Sequence, residues 1–357
     1  MNEGSSPIAQ SSDCEYFALE NDEGMTRVES GILSPVPFRD EAGFRNEESV
    51  RLVFDEDNTL PSREAFPRSP FLARREPAEL NGLNYLNVVT YAAHLFVSWG
   101  IGVWGLHGIL RTRWELSLQY ETLVMPAHWA YYLWGPILIL EGIFALAQLF
   151  PYYRARPIIQ AGSGYFFFYT FLLQTAWTFF FCFQLFICSF VAVTLTLLSL
   201  LGLLASQQKH RVPSGRSSRV EYALFRFPFY LHTGWMVLMA VDHFALLFRK
   251  LNASLGLQVA ADIFSLGILM AVAAAYLVRP YKAGWVIPAV ILWSYLGIAW
   301  RLHTPSDVMM ALYGDTIVSA VRYSVFFFAG AVSCCLVPNT VVWAAHEFLT
   351  INVIELD

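Results

Sequence analysis

The sequence predicts an all-α fold, a polytopic transmembrane helix bundle of about eight spans behind a disordered N-terminal tail. Three observations lead there. Of the 357 residues, 56% are hydrophobic and only 14% charged, a membrane-protein composition. Aromatic side chains are abundant, with 29 Phe, 17 Tyr and 11 Trp. Charge is also unevenly divided: residues 1–80 hold 17 acidic and 8 basic side chains, residues 81–357 hold 11 and 15. The two parts are therefore built for different solvents.

The first part, "MNEGSSPIAQSSDCEYFALENDEG" through "PSREAFPRSPFLARREPAEL", mixes Ser, Pro, Gly and acids with apolar residues that follow no period. Such a stretch buries too little apolar surface to offset the entropy of ordering, so residues 1–80 are expected to be a disordered acidic tail. No apolar h-region lies near Met1, and the acidic residues argue against an Arg-rich transit peptide. "SSPIAQSS" and "ILSPVPF" read either as Ser-Pro phosphorylation sites or as plain solvated linker.

Each membrane crossing needs about 20 mostly apolar residues. In order, the candidates are 84–110, 125–149, 160–183, 186–207, 225–248, 257–278, 283–301 and 315–337. The first contains "GIGVWGLHG", whose Gly100, Gly102, Gly105 and Gly108 read as a close-packing signal. The third and fourth share one apolar stretch too long for a single span, which must turn between Gln184 and Ser189. Asp315 and Arg322 interrupt the eighth. Short loops rich in Arg and Lys favour the cytoplasmic side. With eight spans and the N-terminus inside, the inner flanks collect Arg68, Arg74, Arg75, Arg154, Arg156, Lys209, Arg211, Arg216, Arg219, Arg226, Arg279 and Lys282. The outer flanks hold only Arg111, Arg113, Arg249, Lys250 and Arg301, so both termini are expected to be cytoplasmic. "NAS" at Asn252 is a glycosylation sequon on the outer side, close to the bilayer. Cys14, Cys182, Cys188, Cys334 and Cys335 show no C-x-x-C spacing and are expected to be thiols, four of them buried in apolar runs.

An ionisable group at mid-membrane costs at least a few kcal/mol unless it faces the bundle interior or a partner. Seven residues make nearly two helical turns, so i and i+7 share a face. Trp134, Glu141 and Gln148 fall at that spacing in the second span. Gln174, Trp177 and Gln184 line one face of the third, and His232, Trp235, Met239 and Asp242 one face of the fifth. If the three stripes face one another they enclose an aromatic cavity with a few oriented polar groups, the usual make-up of a ligand site. Alternatively they hold helices together by interhelical hydrogen bonds. Trp99, Trp114, Trp285 and Trp300 lie near helix ends and read as interfacial anchors. A haem cytochrome is disfavoured: His232 and His243, 11 apart, share a face as haem ligands would, but His94 and His107, 13 apart, point to different faces. No nucleotide-binding Gly loop, H-E-x-x-H or G-x-S-x-G motif occurs in a suitable context.

At these same residues the chain resembles the translocator protein, or tryptophan-rich sensory protein (TspO/MBR), family, in particular its longer relatives with extra C-terminal helices. "MPAHWAYYLWG" is similar to the opening of that family's second helix, "LQTAWTFFF" to its Asn-x-x-Trp stretch, and "FPFYLHTGWMVLMAVDH" to its Pro-Tyr stretch with Trp and then Asn. Gln174 stands in place of the usual Asn, Phe179 in place of a common Pro, and His243 in place of the second Asn. The resemblance covers about residues 81–250. It implies a five-helix core around a pocket for tetrapyrroles, sterols or synthetic hydrophobic ligands, with Trp129, Trp134, Gln174, Trp177 and Trp235 lining or flanking it.

Together these readings give a disordered cytoplasmic tail (1–80), a TspO-like membrane core (81–250), three further transmembrane helices (251–340) and a short C-terminal tail (341–357). The expected function is binding of a hydrophobic or amphipathic, tetrapyrrole- or sterol-like small molecule, as a sensor or carrier and not an enzyme. The expected ligand-binding residues are Trp129, Trp134, Glu141, Gln174, Trp177, Gln184, His232, Trp235, Asp242 and His243. No catalytic residue, metal site or cofactor is expected, apart from a tetrapyrrole as ligand. Asp242, Asp262 and Glu141 keep a proton-coupled transporter open as an alternative, and the acidic tail keeps open a structural or regulatory subunit with a protein partner. The remaining partners are the lipid bilayer and a second copy in a homodimer, with nothing pointing to nucleic acid.

Overall fold

The computed structural model describes residues 79–210, 221–278 and 285–354. Nearly all of the expected acidic tail, with Cys14 and the Ser-Pro stretches, lies outside the described residues. So do Arg211, Arg216, Arg219, Arg279 and Lys282.

Among the described residues every regular element is helical. Helix α1, Gly82–Val97, starts at a capping box in which the Asn81 side chain accepts from the Asn84 backbone N–H at 3.0 Å and the Asn84 side chain accepts from Asn81 at 3.3 Å. It then widens into a π-helical turn, Ser98–Val103, and leaves helical geometry at Leu106 and His107, both with positive φ. The glycine-rich stretch favours this break, because Gly105 and Gly108 also take positive φ, which costs glycine little. A short helix α2, Arg113–Gln119, follows behind a Thr112/Glu115 capping box. A buried, non-helical segment, residues 121–127, leads through a 3₁₀ turn, His128–Leu133, into α3, Trp134–Ala147.

Two single turns begin at Pro151 and Pro157, residues suited to a first helical turn. Helices α4, Phe166–Cys182, and α5, Phe186–Lys209, form a hairpin. The chain reverses between them at Gln184, which takes a φ of 60°. This is within the turn the sequence requires. Next come α6, Phe227–Lys250, α7, Leu255–Leu277, α8, Val286–His303, and α9, Asp307–Ile354. Gly314, at φ 74° and ψ 160°, breaks α9 just where the eighth span was placed to begin.

Among the described residues seven helices are long and apolar enough to cross a membrane, and the chain is an integral multi-pass membrane protein. In the place of the third predicted span stands α4, apolar but 17 residues long. At 1.5 Å per residue it reaches about 26 Å, somewhat short of a hydrocarbon core of roughly 30 Å.

Helix α6 is the hub. It packs against α3, α5, α7 and α8, while α1 lies on α3 and α4, and α9 on α7 and α8. Small residues allow the closest approaches: a Cβ on Gly234 would lie 2.8 Å from the Val290 side chain, and one on Gly297 2.8 Å from that of Ala130. The cysteines differ from expectation. Cys182 is buried, but Cys188, Cys334 and Cys335 are exposed on the outer surface of the bundle. An apolar run marks a residue for lipid as readily as for the protein core, and sequence period alone does not separate the two.

Candidate functional site

The three polar stripes meet. Glu141 on α3, Gln174 on α4 and His232 on α6 are all fully buried. His232 Nδ1 lies 2.8 Å from Glu141 Oε1, and His232 Nε2 lies 2.9 Å from Gln174 Nε2. His232 thus bridges Glu141 and Gln174 through its two ring nitrogens, with the donor at each end set by its tautomer. A second link runs from the Trp177 indole N–H to His243 Nε2, at 2.8 Å, with His243 Nδ1 2.8 Å from the Met239 carbonyl. At the far end of the α3 stripe, Gln148 accepts from Asn87 of α1 at 2.8 Å. Each of these side chains thus finds a partner on a neighbouring helix, although Glu141 Oε2, Gln174 Oε1, Gln148 Nε2 and Asn87 Oδ1 are buried without one among the described residues.

Beside this network lies a cavity of about 460 Å³, within the size range of drug-like ligand sites. Of the predicted residues, Trp134, Trp177, Asp242 and His243 line it. The Trp134 and Trp177 rings stack at 6.3 Å and 25°, and Trp134 meets His232 and Trp235 edge-on. Glu141, Gln174 and His232 sit behind this wall, and Trp235 is wholly buried against Trp134 and Tyr131. Trp129 stands away from the cavity, edge-on to Trp293 of α8 at 4.8 Å. Gln184 does not share the face of Gln174 and Trp177. The helix ends at Cys182, so the seven-residue spacing no longer applies, and Gln184 is exposed, accepting from the Tyr120 hydroxyl, which in turn accepts from Lys250.

Several lining residues were not singled out as a site in the sequence. His94, Ser98, Gly102, Arg113, Trp114, His128, Tyr131 and Phe181 all face the cavity. Trp99 and Trp114, expected as membrane-interface anchors, belong to its wall as well. Arg113, counted only as an outer-flank charge, lies with its guanidinium 5.3 Å from the Trp177 ring centre and donates to Ser98 Oγ at 3.1 Å. Burial pulls its pKa below the ordinary value, but an arginine remains protonated in a protein. The signal available in the sequence was the glycine cluster of the first span. It marks a π-helical turn, a feature frequent at functional sites.

The segment 121–123 ties the cavity to the last three helices. Thr122 donates to Asp242 at 2.9 Å. The Leu123 backbone N–H and the Tyr313 hydroxyl donate to Asp262. Glu121 pairs with Arg301 and accepts from Ser306. Asp242 and Asp262, both of which suggested a proton route, are therefore also structural anchors.

Comparison with known proteins gives a match to one family model, described as TSPO-like protein, over residues 84–332. The matched range takes in the cavity, its polar backing and all of the helices packed on α6. No curated protein and no solved structure matches the chain.

Proposed function

The chain belongs to the TSPO-like family, and from that membership together with its cavity we propose that it binds a hydrophobic or amphipathic small molecule of tetrapyrrole or sterol type. It acts as a sensor or carrier without catalysis, and both termini lie on the cytoplasmic side. One observation carries the reading: a cavity of about 460 Å³ walled by Trp99, Trp114, Trp134, Trp177 and Phe181, with Arg113, Asp242 and His243 as its polar spots. Such a site offers apolar area for a flat body and fixed polar groups for its orientation.

The test is a titration of the purified full-length protein with protoporphyrin IX, read as quenching of tryptophan fluorescence. Saturable quenching is expected, with affinity falling about tenfold or more in Trp134→Ala, since truncating a central aromatic hot spot costs about 2 kcal/mol or more of binding and tenfold is about 1.4 kcal/mol. Quenching that does not saturate, or that Trp134→Ala and Trp177→Ala leave unchanged, would overturn the reading.

A further inference from the structure

Arg113 has a built seat. On one side its guanidinium lies against the backbone of Gly102, so closely that a Cβ there would fall 2.6 Å from Nε and 2.8 Å from Cζ. On the other lies Trp177, whose ring centre is 5.3 Å from Cζ, an arrangement that favours a cation. The Nη2 group donates to Ser98 Oγ at 3.1 Å and reaches the Ser98 carbonyl at 3.5 Å. Among the described residues no carboxylate forms an ion pair with Arg113, and Nε and Nη1 have no hydrogen-bond acceptor. The acid that shares the cavity, Asp242, is bound instead by Thr122.

A guanidinium taken partly out of water, held flat between a glycine and an indole, has donors left to offer. Arginine presents them as a planar fork that fits an oxyanion in two-point fashion. Next to it are the apolar walls formed by Trp99, Trp134 and Phe181. We propose that the ligand of this cavity is an anionic amphiphile whose carboxylate pairs with Arg113 while its apolar body lies along the tryptophans. Gly102 is then a specificity residue, because its missing side chain leaves room for the guanidinium in this seat, from which a Cβ would displace it. The proposal rests on the ligand-binding reading above and narrows it, since a neutral sterol leaves Arg113 without a partner.

The experiment compares protoporphyrin IX with its dimethyl ester, which keeps the ring and removes the charges, on full-length protein in neutral detergent. The wild type is expected to prefer the acid by about tenfold or more, the scale of a hydrogen bond to a charged group. Arg113→Gln and Gly102→Ala are expected to bind acid and ester alike. A monodisperse size-exclusion peak and a thermal-unfolding midpoint near that of the wild type show the variants to be folded. Equal binding of acid and ester by the wild type, or an acid preference that survives in Arg113→Gln, overturns this inference and leaves the cavity reading standing. Failure of both probes to bind the wild type overturns both. The acid titration is repeated in nanodiscs with and without phosphatidylserine: unchanged acid preference supports a free amphiphile, whereas its loss on adding the anionic lipid assigns Arg113 to a headgroup and overturns the proposal.

Discussion

Glu141 and His232 are both withdrawn from water, and each is the other's hydrogen-bond partner at 2.8 Å. Deleting Glu141 strands His232 Nδ1, and deleting His232 strands Glu141 and the Gln174 amide, at about 1–3 kcal/mol or more, whereas replacing Glu141 and His232 together removes the penalty between them and leaves only Gln174 without its partner. We therefore expect Glu141→Leu and His232→Phe each to lower the melting temperature, and the double variant to be more stable than the sum of the two effects allows. A thermal-unfolding double-mutant cycle in detergent measures the difference; strict additivity would mean the pair is not coupled. The inward direction of Glu141, Trp177 and Asp242 was legible in the sequence, because position on a continuous helix follows from spacing alone. The roles of Gln184 and Arg113 were not. One depends on a helix ending at Cys182, two residues earlier than the stripe requires. The other depends on a contact between residues 102, 113 and 177, which lie on three separate elements and share no period.

At the scale of elements, α8 meets the 126–130 segment closely at a position where the side chain is missing. A Cβ at Gly297 would sit 2.8 Å from that of Ala130 and 3.0 Å from that of Pro126, and the Gly297 carbonyl accepts from the Ala127 backbone N–H at 3.0 Å. Gly267 on α7, by contrast, has open space around the same position. Overpacking a tight contact costs roughly 1–3 kcal/mol. Gly297→Leu is accordingly expected to destabilise the protein by about that amount and Gly267→Leu to be tolerated, as read by thermal unfolding of the two variants side by side. Equal effects would show that helix propensity, not packing, governs both positions. Helix locations were readable from apolar length, since the bilayer sets that length. The π-helical turn of the first span, the 17-residue α4 and the break at Gly314 were not. Each is a local feature of the backbone that leaves the apolar pattern of the sequence unchanged.

For the whole molecule, the question is whether the three C-terminal helices are an appendage to the ligand-binding part. Ile287, Ile291, Tyr295, Ile298 and Leu302 of α8 are fully buried, and α8 packs directly on α6, which carries Asp242 and His243 of the cavity. The 121–123 segment adds polar ties: Glu121 to Arg301 and Ser306, and Leu123 to Asp262. A chain that stopped after residue 250 would turn the α8-facing side of α6 toward lipid and leave Glu121 with neither partner. An uncompensated buried charge is strongly destabilising, by about 3–5 kcal/mol. Such a truncation is expected to elute as aggregate in size-exclusion chromatography and to lose saturable porphyrin quenching, although every residue lining the cavity is still present. A monodisperse truncated protein that keeps full-length affinity would mean that the last three helices are a separate module. The match of one family model from residue 84 to residue 332 favours a single unit, because the helix that walls the cavity is held from behind by the helices that follow it.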